Sequence, residues 1–182
     1  MKKSILAGIF ISFGCLAFLK IGGILGAFLF SFGLLGVLKS ESLLYTGKIW
    51  EEDNPGILLA VLILNVFGCF ISGAVFYLAF PELHETAKNI IATRINDGII
   101  ACFIKGAGCG VIMTTAVQSY KDNNYWPLLL GIPLFILTGF YHSVADMFYF
   151  ILAPSLKYLL VWIFIVLGNW IGGKIFFLWI KR

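Results

Sequence analysis

Thr138-Gly139-Phe140-Tyr141-His142-Ser143-Val144-Ala145-Asp146-Met147-Phe148 sets a histidine, an acid and a glycine inside a greasy run. Apolar sequence flanks it, from Trp126 to Thr138 and from Met147 to Ala153. An ionisable group at that depth in a bilayer costs at least ~2.5–3.5 kcal/mol, so it marks a functional site by default. Gly139, Ser143 and Asp146 around His142 favour an interrupted helix over a smooth one. Broken helices survive at membrane depth only where protein or a water-filled cavity satisfies the freed backbone groups. This stretch predicts a conduction pathway.

The rest of the chain supports a membrane setting. Of 182 residues, 60% are hydrophobic and 12% charged, with a mean hydropathy of +0.98. Soluble domains carry about 25% charged residues. The net charge of +4 comes from Lys and Arg scattered at segment ends, which argues for topology and against a nucleic-acid partner. Cys15, Cys69, Cys102 and Cys109 lie in apolar runs without metal-ligand spacing and read as packing residues. No phosphate-binding loop, metal constellation or nucleophile–base arrangement stands out, so the chain reads as a non-enzyme without a cofactor.

Crossing ~30 Å of hydrocarbon takes about 20 helical residues. Six segments qualify, near 4–19, 24–50, 57–80, 98–119, 126–153 and 157–180. The first follows Met1-Lys2-Lys3 directly and reads as a retained transmembrane helix, not a signal peptide. The second and fifth are too long for single straight helices, and both carry polar interruptions. The second breaks at Lys39-Ser40-Glu41-Ser42, ahead of Leu43-Leu44-Tyr45-Thr46-Gly47. Residues 81–97 read as a linker. Six crossings gather Lys2, Lys3, Lys48, Lys121, Lys181 and Arg182 on one side, which predicts both termini in the cytoplasm.

Spans three and six share an Asn-x-x-Gly signature, Asn65-Val66-Phe67-Gly68 and Asn169-Trp170-Ile171-Gly172. Spans one and four are punctuated by glycine. The expected fold is all-α: six transmembrane helices in two inverted three-helix repeats, about 1–80 and 90–182, forming one transmembrane domain over 1–182. Broken helices meeting at the midplane recur in transporters and channels. The interrupted spans then supply the lining: Leu34, Leu44, Tyr45 and Thr46 from the second, Phe135, His142 and Ser143 from the fifth. Large apolar groups with one imidazole describe a narrow, dry constriction. Protonating a carboxylate with a pKa near 4 at pH 7 takes roughly 4 kcal/mol. That competes with carrying its charge through hydrocarbon, so a weak-acid anion is the expected substrate class.

The chain resembles the formate–nitrite transporter family. Gly139-Phe140-Tyr141-His142-Ser143-Val144-Ala145-Asp146-Met147-Phe148 is similar to that family's Gly-Phe-Glu-His-Ser-hydrophobic-Ala-Asn-Met-Phe motif. Leu44-Tyr45-Thr46 resembles its Leu-Phe-Thr, and Leu167-Gly168-Asn169-Trp170-Ile171-Gly172-Gly173 its Leu-Gly-Asn-Ile-Ile-Gly-Gly. Ala7-Gly8-Ile9-Phe10-Ile11 fits the start of its first helix. The resemblance implies an aquaporin-like fold and a homopentamer with one pore per protomer in a bacterial inner membrane. It also implies passage of small monovalent anions (formate, nitrite, hydrosulfide) linked to protons. His142 becomes the central pore histidine and Thr46 the threonine facing it. Leu34, Leu44, Tyr45 and Phe135 match the constrictions. Arg94 matches a vestibule lysine that attracts anions, with Lys88 as the alternative. Three positions depart: Tyr141 stands for Glu, Asp146 for Asn, and Gly110 aligns with a fourth-helix Asn. The family's extended amino-terminal gating helix is not matched, so little gating of that kind is expected. The rival expectations are a pore for a neutral solute and a non-conducting scaffold.

Overall fold

A computed structural model describes residues 1–180, apart from the side chains of Phe177, Trp179 and Ile180. Lys181 and Arg182, which entered the topology argument, lie outside the described residues. The chain folds into helices α1 (Lys2–Ile21), α2 (Gly23–Lys39), α3 (Tyr45–Lys48), α4 (Pro55–Ala79), α5 (Leu83–Lys121), α6 (Trp126–Leu137), α7 (Ser143–Leu152) and α8 (Leu156–Ile180). Among the described residues there is no strand. α1, α4, α5 and α8 are long and apolar enough to cross a membrane.

Both interruptions read from the sequence are present. The second apolar stretch stops at Lys39, runs as a loop through residues 40–44, and restarts as the single turn of α3. The fifth stops at Leu137 and restarts at Ser143. Gly139 sits at φ 75°, the left-handed region where side chains are strained, and turns the chain out of α6.

Most of the supposed linker at 81–97, from Leu83 on, is instead the first part of α5. Leu83, Ala87 and Ile91 recur every four residues and are buried, the spacing of one helix face. Gly98, at φ 74° and ψ 175°, then kinks the chain into the apolar part of α5. The sequence reading took residues 81–97 for a linker and passed over this stripe.

Ion pairs mark two faces. Lys3 meets Glu41 at 3.1 Å, Lys121 meets Glu51 at 2.5 Å, and Lys174 meets Asp53 at 2.6 Å. The start of α1, the end of α5, the late part of α8 and the loops at 40–44 and 49–54 therefore share one face, the N-terminal face. Lys20 and Glu82 pair on the opposite face. α1 packs between α2 and α4, and α5 packs along α6 and α8. The short helices α3 and α7 fill the space between these groups. Their first turns meet at the centre of the molecule.

Candidate functional site

Each break needs its freed backbone groups satisfied, and one buried asparagine does this at each. At the first break, the Tyr45 amide donates to Asn65 Oδ1 at 2.8 Å, and Asn65 Nδ2 donates to the carbonyls of Ser4 (2.7 Å) and Leu43 (2.8 Å). At the second, the Ser143 amide donates to Asn169 Oδ1 at 2.9 Å, and Asn169 Nδ2 donates to the carbonyls of Gly106 and Tyr141, both at 2.8 Å. The sequence reading found the two asparagines as a signature and missed what they do. The signal was available: an uncharged double donor and acceptor, spaced one helix away from each break.

Glycines let the helices come close enough for this. A Cβ on Gly8 would lie 2.0 Å from the Asn65 carbonyl oxygen, and one on Gly110 would lie 2.3 Å from that of Asn169. Gly110, aligned by resemblance with an asparagine facing the histidine, is thus a helix-contact residue with no room for a side chain.

His142 is the N-cap of α7. Its Nδ1 accepts the Ala145 amide at 3.1 Å, and its Nε2 lies 2.8 Å from Thr46 Oγ1, both side chains being buried. An Nδ1 that accepts an N–H carries no proton of its own, so the ring is neutral and presents Nε2–H to Thr46. The ring stacks on Phe135 with centroids 5.9 Å apart, and Phe135 meets Phe30 edge-on, also at 5.9 Å.

Two chambers flank the His142–Thr46 bridge: Gly47, next to Thr46, lines one, and His142 lines the other. The chamber on the N-terminal face holds about 550 Å³. Leu34 and Leu44 form its apolar part, while Lys39, Lys48 and Lys121 line it together with Glu41 and Glu51. Burial raises the Glu51 carboxyl, but hydrogen bonds and charge from Lys121 and Lys48 outweigh that and hold it below the ordinary carboxylate range. The opposite chamber holds about 160 Å³ and is lined by Phe30, Phe135, His142, Tyr141, Arg94 and Asp146 among others.

Four expected lining residues, Leu34, Leu44, Phe135 and His142, line a chamber, and Thr46 lines neither but is bonded to His142. Tyr45 and Ser143 line neither. Tyr45 turns its hydroxyl to the Val166 carbonyl at 3.2 Å. The Ser143 Oγ is buried without a hydrogen-bond partner among the described residues, while the Ser143 carbonyl accepts from Trp162 Nε1 at 2.8 Å. Both residues open a short helix, their amides are held by asparagines, and their side chains line neither chamber.

The two vestibule cations also differ from expectation. Lys88 is 61% exposed and pairs with Glu85 at 3.5 Å beside a separate outer groove, away from His142. Arg94 does line the smaller chamber, but its Nε and Nη2 fork onto Asp146 Oδ2 and Oδ1 at 3.2 and 3.1 Å. Tyr158 donates to the same carboxylate at 3.0 Å. Arg94 also lies over the Tyr141 ring, 4.3 Å from its centroid. Tyr141 in turn donates to Asp97 and accepts from Lys105 at 3.1 Å, and Lys105 pairs with Asp97 at 2.5 Å. The departures at positions 141 and 146 are thus built into compensated clusters.

A family model described as "Formate/nitrite transporter" matches residues 53–181. That range includes the second break and excludes Thr46. A solved structure described as "FNT family ion channel" superposes with a TM-score of 0.84 at 19% identity, covering 99% of this chain and 88% of its own. At that identity the likeness is one of fold. No curated protein sequence matches the chain.

Proposed function

The chain belongs to the formate/nitrite transporter family, and on that premise we propose a membrane channel or transporter for small monovalent weak-acid anions, with passage past His142 linked to a proton. Formate, nitrite and hydrosulfide are the candidate substrates. One observation carries the reading: a neutral imidazole N–H, bridged to Thr46 at 2.8 Å, lies between a chamber whose apolar part is Leu34 and Leu44 and another walled in part by Phe30 and Phe135.

Carrying the anion through this constriction costs between a few and well over ten kcal/mol. Protonating it first costs roughly 4 kcal/mol for an acid of pKa near 4 at pH 7. The proton comes from water in the chamber, A⁻ + H₃O⁺ → HA + H₂O. His142 does not supply it, because a second ring proton on Nδ1 would face the Ala145 N–H that caps α7. The role of His142 is to move its Nε2–H from Thr46 Oγ1 to a substrate oxygen. That hydrogen bond strengthens while the oxygen still carries charge. The positive end of the α7 dipole acts in the same direction.

The same reading makes residues 1–182 one transmembrane domain of two inverted repeats, about 1–80 and 90–182. The matching asparagine caps support it. The protomer assembles as a homopentamer in a bacterial inner membrane, with the N-terminal face and its Lys39, Lys48 and Lys121 in the cytoplasm. In proteoliposomes, uptake of formate, acetate, lactate, nitrite and hydrosulfide is measured with the outside acidic or neutral. Acid-stimulated uptake of the smaller anions, lost in His142→Ala, supports the proposal. Flux indifferent to pH points instead to a neutral-solute pore.

A further inference from the structure

The two chambers differ in charge. Lys39, Lys48 and Lys121 outnumber Glu41 and Glu51 around the larger one, so it presents net positive charge. Around the smaller one, Arg94 and Asp146 cancel each other in a forked pair, and Lys105 and Asp97 cancel behind Tyr141. The other titratable groups near Asp146 are Cys15 of α1, Cys102 and Cys109 of α5, Tyr158 of α8, and Tyr149 and His142 of its own segment. At neutral pH thiols and phenols of ordinary acidity are uncharged, and the capped His142 ring is neutral. Among the described residues Arg94 is therefore the cation in contact with Asp146, and its charge is already used.

We infer that Asp146 is a specificity-determining residue: by consuming the charge of Arg94 it sets the smaller chamber to admit the protonated acid in preference to its anion. Access from the N-terminal face begins instead with the anion, drawn by the lysines. The path is electrostatically one-sided although its scaffold is matched end to end. This rests on the weak-acid reading above and extends it to the order of events. From one face the anion binds before it is protonated; from the other, protonation precedes binding.

The test uses the full chain in vesicles of known sidedness, with formate presented to one face at a time. For wild type, raising ionic strength from ~10 mM to ~500 mM, which shortens the Debye length from ~30 Å to ~4 Å, is expected to cut uptake several-fold from the N-terminal face. Uptake from the opposite face is expected to change little. Equal salt dependence from both faces overturns the inference. In Asp146→Asn the freed Arg94 charge is expected to lower the half-saturating formate concentration at the opposite face about fivefold, the effect of one unit charge ~8 Å away at an effective dielectric constant near 40. It also makes uptake there salt-sensitive. Adding Arg94→Gln is expected to reverse both changes. A folded Asp146→Asn protein with unchanged uptake, or a change that persists in the double variant, overturns the inference. If Asp146→Asn does not assemble, the wild-type salt comparison decides alone. Wild type without formate flux at any pH overturns the weak-acid reading and this inference together. Acid-stimulated wild-type flux with equal salt dependence from both faces overturns the inference alone.

Discussion

The break at residues 40–44 and the break at 138–142 share a frame and differ in one side chain. Each short helix opens on a residue in extended conformation, Leu44 at φ −98° and ψ 131° and His142 at φ −106° and ψ 110°. Each has its first amide held by an asparagine one helix away. Each asparagine carbonyl lies against a glycine of a neighbouring helix. Yet one N-cap is a leucine and the other a histidine. The asparagines and glycines hold the frame, and one of two equivalent positions is filled with an imidazole.

The severest way to break this comparison is to remove the caps. Asn65→Ala and Asn169→Ala each strand the freed amide and the freed carbonyl of one break, at about 1–3 kcal/mol apiece. Both are expected to lose about 2–6 kcal/mol, read as loss of folded protein in detergent. One tolerated and one ruinous substitution would show that the caps are not equivalent.

Gly8→Ala and Gly110→Ala come next. A methyl group at either position overlaps a backbone carbonyl oxygen, and overpacking of this kind costs about 1–3 kcal/mol or more. Thermal unfolding of the two variants should shift down by similar amounts.

His142→Leu sharpens the comparison by making the two N-caps alike. It removes the Ala145 cap, worth about 1 kcal/mol, so the protein should still fold. Anion flux should fall about tenfold or more, the worth of a hydrogen bond to a charged group. Retained flux would mean the imidazole is only a lining residue.

The smallest effect concerns the rim of the larger chamber. The Glu51 carboxyl is held below its ordinary value, so its contribution to stability is present above the unfolded pKa near 4.3 and is lost as pH falls through the lower folded value. Glu51→Gln should lower stability at pH 7 by no more than about 1 kcal/mol and remove that acid-side loss. A pH series of thermal midpoints for both proteins checks it.

The all-helical fold and its two interruptions were legible because hydrophobic length and a few polar residues at membrane depth admit few arrangements. His142, Thr46, Leu34, Leu44 and Phe135 were singled out for the same reason, and the structure places His142, Leu34, Leu44 and Phe135 along the chambers and Thr46 against His142. Tyr45 and Ser143 line neither chamber, and sequence adjacency to a lining residue does not say which way a side chain points once its amide is tied down. The amphipathic start of α5 was missed because charge was weighed ahead of the Leu83, Ala87 and Ile91 period. Asp146 showed in the sequence only as a departure from the motif, because its partner, Arg94, lies 52 residues away, a separation that no local pattern reveals.

The most direct test of the central claim is formate uptake into proteoliposomes between pH 5 and pH 8, corrected for protein-free vesicles. Wild-type flux is predicted to climb toward tenfold for each unit of acidification, following the protonated fraction, and His142→Ala is predicted to hold near the protein-free rate throughout. A wild-type flux that ignores pH, or a His142→Ala flux that follows the wild-type curve, would contradict proton-linked passage at this histidine.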